Sequence, residues 1–153
     1  LNQGPVRTCL SCHEELAAAR VNKAHPHRPV FEDSCVICHQ PHASERARLL
    51  RAEVNDLCLQ CHGSQLAGAL EAGGAVKLFD GAVEVDPSSL AGVKILPLRP
   101  GAQWGHPYPS HPVASGEEIT CITCHNPHAT ARSPKLLVTD TPTATPLCVS
   151  CHG

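Results

Sequence analysis

Aromatic residues and methionine are nearly missing from this chain. Its 153 residues include one Trp, one Tyr, two Phe and no Met. Aromatic side chains usually supply much of the area that a domain of this size buries. We therefore expect something other than side chains to fill a large part of the interior.

Strong net charge and long apolar runs are missing as well. The formal net charge is −2, which favours neither a nucleic-acid partner nor a basic membrane patch. No apolar run approaches the ~20 residues of a transmembrane span. Because the sequence starts at Leu1 without an apolar leader, we expect a processed chain or a fragment, which says nothing against export.

Cysteine and histidine are what the chain has in excess, with ten and eleven residues. An even cysteine count in a small chain is typical of a disulfide scaffold. Here every cysteine instead belongs to a Cys-x-x-Cys-His block, and none is left over. The five blocks span residues 9–13, 35–39, 58–62, 121–125 and 148–152.

Each block has the spacing of a covalent haem attachment site. Two thiols three residues apart on a helical turn reach the two vinyl groups of one haem, and the adjacent His reaches the iron. Zinc ribbons have no use for a His after every second Cys, and thioredoxin-like dithiols occur singly in a βαβ setting. We therefore predict five covalent c-type haems. The thioether residues would be Cys9 and Cys12, Cys35 and Cys38, Cys58 and Cys61, Cys121 and Cys124, and Cys148 and Cys151, with proximal iron ligands His13, His39, His62, His125 and His152.

Five haems would also replace the missing aromatic core. About 31 residues are available per haem, so little polypeptide remains for anything except enclosing cofactors. The haem-free chain should be largely unstructured, because little side-chain burial would offset its entropy. We predict a mainly irregular fold in which short α-helices wrap stacked haems, with a small β-hairpin near residues 76–96.

The sixth iron ligands are expected to be histidines, because the chain has no Met. Six histidines lie outside the blocks, one more than five bis-histidine haems require; the alternative for some of them is an ordinary surface histidine. These candidates are His25, His27, His42, His106, His111 and His128.

Spacing narrows which haem each candidate can serve. His42 and His128 follow a proximal His by three residues and cannot reach the opposite face of the same haem, so each should ligate another, most simply the next along the chain. His25 and His111 lie ten residues before a block and can loop over to that block's haem. The first haem would then take His27 or His106.

An internal repeat organises the chain. Cys38-His-Gln-Pro-His-Ala43 matches Cys124-His-Asn-Pro-His-Ala129, and each copy is preceded by His-Pro and followed by Leu-Leu and a second block. We predict an N-terminal single-haem segment over 1–24, two-haem modules over 25–63 and 106–153, and a haem-free insert over 64–105.

The local sequence predicts several short elements. Helices are expected through Glu14–Arg20, through Glu45–Arg51 with Ser44 as its cap, and from Pro146, with Gly63 and Gly153 as C-terminal caps. In the insert, 76–79 and 82–85 should form a hairpin turning at Asp80-Gly81, and 92–96 could add a third strand. The insert is either a connector between the modules or a docking or polymerisation surface.

The tract from Cys121 to Gly153, and the similar tract from Cys35 to Gly63, resemble the doubled CXXCH motif of multihaem cytochromes c. With the preceding His-Pro elements they cover about half of the chain. The resemblance implies that the motif histidines are axial ligands and that the protein is a periplasmic carrier or a cell-surface conduit. Some extracellular members of that family polymerise into filaments (nanowires), in places with a ligand from the next subunit.

The leading hypothesis is electron transfer, as a periplasmic carrier or an extracellular filament subunit, with redox proteins, extracellular acceptors or further copies of the chain as partners. No catalytic residue is predicted. The rival is a multihaem reductase of the nitrite or hydroxylamine type, which needs one five-coordinate haem and a protonating pocket. A single Tyr and little spare polypeptide argue against it. Because prokaryotes attach haem c outside the cytoplasmic membrane, we expect an exported, periplasmic or extracellular protein.

Overall fold

The computed structural model describes residues 5–29, 34–96 and 119–152. The chain divides into two compact units, Leu1–Ile37 with Ile122–Gly153, and Cys38–Cys121. Both divisions fall inside a Cys-x-x-Cys-His block, the second and the fourth along the chain. Each unit is described by itself below.

The first unit consists of short helices and one two-residue ladder. Helix α1 covers Pro5–Leu10 and α2 covers Glu14–Asn22, where alanines favour the helix. Strand β1, His25–Pro26, pairs antiparallel with β4, Ala129–Thr130. A 3₁₀ turn at Cys35–Ile37 packs against α1, and α6 covers Thr145–His152. The helices expected through Glu14–Arg20 and from Pro146 are thereby confirmed.

The second unit carries two helices and a hairpin. Helix α3 spans Val54–His62 and α4 spans Gln65–Ala72. Strand β2, Val76–Leu78, pairs antiparallel with β3, Val83–Val85, and a 3₁₀ turn follows at Pro87–Leu90. The intervening Gly63 ends α3 as expected, and its amide donates to the Leu59 carbonyl at 2.9 Å.

Helix α5, Cys121–Cys124, is a single turn that coincides with the cysteines of the fourth block. Gly153, expected to cap α6, lies outside the described residues. None of the helices in 5–29, 34–96 and 119–152 has the length and apolar character that a bilayer crossing requires.

The hairpin differs in detail from its sequence prediction. Its turn takes four residues, 79–82, and Phe79, Asp80 and Gly81 all have left-handed φ angles of 51°, 54° and 90°. Phe79 therefore leaves the strand, and its amide donates to Gln60 Oε1 at 2.8 Å. The third strand expected at 92–96 does not form, because Leu96 donates its amide to the carbonyl of His62 at 2.8 Å instead of pairing with a strand.

The helix expected through Glu45–Arg51 is also wrong, because only a 3₁₀ turn at Ala47–Leu49 forms there. The Ser44 hydroxyl donates to the Leu50 carbonyl at 2.7 Å and accepts from the Arg46 amide at 3.1 Å. These local bonds give the backbone an alternative to the helix.

Few apolar side chains are buried among the described residues, and most of these belong to the second unit. In the described part of the chain, the buried apolar side chains are Leu66, Val76, Leu78, Val85, Leu90, Ala129 and Leu137. Over the residues described, the structure is thus mostly irregular, with a few short helices and small two-stranded sheets, as the composition predicted.

Candidate haem sites

The Cys-x-x-Cys-His blocks lie on short helical elements. Cys9 lies in α1, the third block ends α3, the fourth is α5 and the fifth ends α6, while the second block is on the 3₁₀ turn at Cys35–Ile37. One helical turn brings residues three apart to the same side of the backbone. The two cysteines of the third, fourth and fifth blocks therefore lie one helical turn apart within a single helix, the spacing that two vinyl groups of one porphyrin require. Cys12 lies two residues after the end of α1, and Cys38 follows directly after its 3₁₀ turn.

Three block histidines share one hydrogen-bond arrangement. Nδ1 of His39, His62 and His125 lies 2.8 Å from a backbone carbonyl oxygen in each case. A carbonyl can only accept, so Nδ1 carries the proton and Nε2 carries the lone pair. This is the tautomer that binds iron, with its ring orientation fixed by the second bond. The residues present therefore fit haem. The accepting carbonyls belong to Arg48, Lys94 and Lys135.

His13 is held differently. Its Nδ1 lies 3.7 Å from Glu15 Oε1, and both side chains are well exposed. An exposed pair at this distance fixes a ring weakly. In this contact the His13 ring therefore faces a side-chain carboxylate, whereas the block histidines His39, His62 and His125 face backbone carbonyls.

The sequence repeat has a structural counterpart in the loops that follow the second and fourth blocks. The amides of Gln40 and Asn126 donate to the carbonyls of Leu49 and Leu136, at 2.7 and 2.6 Å. Arg51 and Val138 donate in the same way to the second cysteines, Cys38 and Cys124, at 2.9 and 3.0 Å. Both loops therefore fold back onto their own block.

Left-handed residues aim the accepting carbonyls in these loops. Arg48 and Leu49 have φ angles of 57° and 54°, and Leu136 has 56°. This conformation costs a residue with a Cβ roughly 1–2 kcal/mol. Arg48 provides the carbonyl that faces His39, and Leu49 follows it. Leu136 likewise follows Lys135, whose carbonyl faces His125. The strain is thus located at the support of a histidine in both copies.

The candidate distal histidines fall into different places. His27 Nδ1 lies 2.9 Å from the Pro127 carbonyl, and its amide donates to the His128 carbonyl at 3.1 Å. His25 lies opposite Thr130 in the β1–β4 ladder. The backbones of His25, His27 and His128 therefore lie close together in the first unit. His42 is exposed in the second unit, and His106 and His111 lie outside the described residues.

His27 shares the arrangement of the block histidines. A backbone carbonyl faces Nδ1 at nearly the same distance, which again leaves the lone pair on Nε2. Sequence spacing alone could not separate His27 from the other candidates, because the accepting residue lies 100 positions away.

Thiols of different blocks meet in pairs. In the first unit Cys35 is hydrogen-bonded to Cys9, and burial and this neighbour raise the pKa of Cys35. In the second unit the Cys58 thiol is hydrogen-bonded to the Cys121 sulfur, which lowers the pKa of Cys121 to about 7 and raises that of Cys58. All four of these residues are the first cysteines of their blocks. Once joined to haem these sulfurs are thioethers and no longer titrate.

Asn55 is a supporting residue that the sequence did not reveal. Its Oδ1 accepts the backbone amide of Cys121 at 2.9 Å, which satisfies the first N–H of α5. The pair is separated by 66 residues, and a lone Asn in the first turn of a helix carries no pattern that predicts such a contact.

A cleft of about 260 Å³ opens in the first unit beside His128. Leu16 and Ala19 of α2 line it together with Lys23, which follows the helix, and Lys23 Nζ lies 3.8 Å from Asp140 Oδ2. Asp140 also accepts backbone amides from three residues, at 2.7–3.2 Å, and these bonds, the one from Arg132 first, lower its pKa. The carboxylate therefore closes the loop after β4. The donors are Ala131, Arg132 and Ser133.

Within 5–29, 34–96 and 119–152, no three His, Cys, Asp or Glu side chains converge so as to hold a metal ion by themselves. The blocks thus do not gather into a zinc-type cluster there.

Comparison with known proteins agrees with this geometry. Residues 27–67 and 111–153, more than half of the chain, match the family described as the doubled CXXCH motif. The chain belongs to this family. It is a multihaem c-type cytochrome.

One relative extends the match across nearly the whole chain. The multiheme cytochrome MtrA of Shewanella baltica (strain OS185) is 46% identical over 145 residues, which is 95% of this chain. The aligned part is 31% of that cytochrome, so the chain spans about a third of its relative's length. No solved structure matches this cytochrome chain significantly.

Proposed function

We propose that the chain conducts electrons through five covalently attached haems, each held between two histidines, within an exported protein. The observation that carries this proposal is the common support of His39, His62 and His125, whose Nδ1 atoms each face a backbone carbonyl at 2.8 Å. When bound, haem supplies the redox centre. The protein supplies thioether anchors, oriented imidazoles and enclosure.

The attachment residues follow from the blocks. All ten cysteines form thioethers, and the five block histidines are proximal ligands, as the sequence predicts. The fifth block forms the last five residues of α6, as the third block forms the last five residues of α3. The boundaries at 1–24, 25–63, 64–105 and 106–153 remain our proposal for the haem-binding modules.

Histidine is proposed on the distal side of every haem. His27 is the best-supported distal ligand, because its ring is oriented like those of the block histidines. His25, His42, His106, His111 and His128 supply the other four ligands, with one to spare. With no Met in the chain, all five haems should have low potentials.

The proposed setting is outside the cytoplasm, because haem c is attached there, with redox proteins as partners. The alignment within a longer multiheme cytochrome supports a stretch of conduit that passes electrons between neighbours. The similarity gives no support to a filament, and micrographs of the haem-loaded protein separate the two: discrete particles fit a carrier or conduit, and ordered fibres fit a polymer.

Electron paramagnetic resonance of the oxidised, haem-loaded protein tests the ligation. We expect low-spin ferric signals that account for all five haems. A high-spin signal equal to one haem would contradict bis-histidine ligation and favour the reductase with an open iron site.

A further inference from the structure

The first cysteines of consecutive blocks lie against each other in the first unit. Cys9 lies in α1, Cys35 begins a 3₁₀ turn, and these two elements pack together. Their thiols are within hydrogen-bonding distance, although neither cysteine is in a disulfide. The first sulfur of block one therefore meets the first sulfur of block two.

The second unit repeats this relationship between blocks three and four. The Cys58 and Cys121 thiols are hydrogen-bonded, and both are free cysteines. A second bond holds the same two elements together, because Asn55 in the first turn of α3 accepts the amide of Cys121 at 2.9 Å. Two separate contacts thus fix the start of α5 against α3.

We propose that these contacts define two haem pairs, haems one and two and haems three and four, which meet at the porphyrin corners anchored by Cys9 with Cys35 and by Cys58 with Cys121. A thioether sulfur lies one carbon from the porphyrin edge. Anchors in contact therefore bring the two ring edges together. Since every block has the same order of residues, both haems of a pair meet through the same vinyl corner.

This pairing differs from the doubled sequence motif. The motif joins blocks two and three, and blocks four and five, as neighbours along the chain. The thiol contacts instead join blocks one and two, and blocks three and four, whose first cysteines are 26 and 63 positions apart in the numbering. The inference rests on the proposed attachment of haem to these blocks.

The direct test is an experimental structure of the haem-loaded chain, in which all edge-to-edge haem distances are ranked. We expect the Cys9–Cys35 and Cys58–Cys121 sulfurs in van der Waals contact and the two shortest haem distances within these pairs. Separated sulfurs, with the shortest distances between haems two and three and between four and five, would overturn the pairing. Five haems in that structure would still leave the proposed function standing, whereas fewer than five would count against the function itself.

A solution test uses the exciton couplet in the Soret circular dichroism, which reports closely packed haems. Asn55→Ala removes the acceptor that holds Cys121, so we expect the couplet to fall while mass spectrometry still counts five haems. Asn55→Asp keeps an acceptor oxygen and should keep the couplet. Equal couplets in the wild type and both variants would contradict the role of this contact in the third and fourth haems' pairing.

Discussion

Nδ1 of His125 lies 2.8 Å from the carbonyl oxygen of Lys135. The loop holds that carbonyl in place through Leu136, whose φ is 56° and whose own carbonyl accepts the Asn126 amide at 2.6 Å. The histidine of the fourth block is therefore oriented by backbone that only a left-handed residue can provide.

Substituting Leu136 tests this support. Leu136→Val places a β-branched residue at positive φ, and we expect it to cost roughly 1–2 kcal/mol of stability. Leu136→Gly relieves the strain and should be near neutral, because Gly also gains entropy in the unfolded chain. Thermal unfolding of the haem-loaded variants, followed by circular dichroism, measures both. A Val variant as stable as the Gly variant would contradict a strained support.

His27→Ala tests the assignment of the best-supported distal ligand. We expect one of the five haems to become high-spin, seen by paramagnetic resonance or visible magnetic circular dichroism. His27→Met should restore a low-spin haem and raise its potential, because a thioether ligand favours the reduced iron. Five low-spin haems in the Ala variant would identify His27 as the spare histidine.

Asp140 gives the first unit an acid-sensitive loop. Backbone amides of Arg132, Ala131 and Ser133, with Lys23 nearby, hold the pKa of Asp140 below its usual value of 3.8. A carboxylate with a lowered pKa stabilises the fold above that usual value and loses its contribution as the pH falls through the folded pKa. Asp140→Asn should therefore lower the unfolding temperature at neutral pH, and the difference from wild type should shrink in acid.

Lys23→Ala separates the ion pair from the backbone bonds of Asp140. The Lys23–Asp140 distance is 3.8 Å and both side chains are partly exposed, so this variant should lower the unfolding temperature much less than Asp140→Asn does. A pH-independent difference between Asp140→Asn and wild type would show that the carboxylate charge is not what closes the loop.

The stability of the hairpin should depend on the inward-facing side chains of β2 and hardly at all on the outward-facing one. Leu78 is 2% exposed, whereas the neighbouring Lys77 points outward with 69% of its side chain exposed. Leu78→Ala should cost about 2–5 kcal/mol, and Lys77→Ala should stay within about 0.5 kcal/mol. Denaturant unfolding of the haem-loaded variants measures both. Equal losses would mean that the hairpin does not bury this face.

Local sequence predicted the elements whose cause is local. Pro146 marked the start of α6, and Asp80-Gly81 marked a hairpin, although the turn also includes Phe79, whose φ is 51° and whose amide donates to Gln60. Ser44 misled, because its hydroxyl bonds to Leu50 and Arg46 and closes a turn where a capped helix was expected.

For the candidate sites, too, the sequence predicts local features and misses those that depend on distant residues. Block spacing predicts every thioether cysteine and proximal histidine, because attachment chemistry acts within five residues, and this assignment stays a prediction. The carbonyl facing His62 comes from Lys94, and the amide held by Asn55 is that of Cys121. No periodicity connects such positions, so these supports and the meeting of Cys58 with Cys121 needed three-dimensional structure.

The number of covalent haems tests the central claim most directly. Intact mass spectrometry of the haem-loaded protein, under denaturing conditions that remove unattached cofactor, should give the chain mass plus five haems and leave no thiol that reacts with an alkylating reagent. A mass with fewer haems, together with alkylated cysteines in one of the five blocks, would contradict a five-haem conduit.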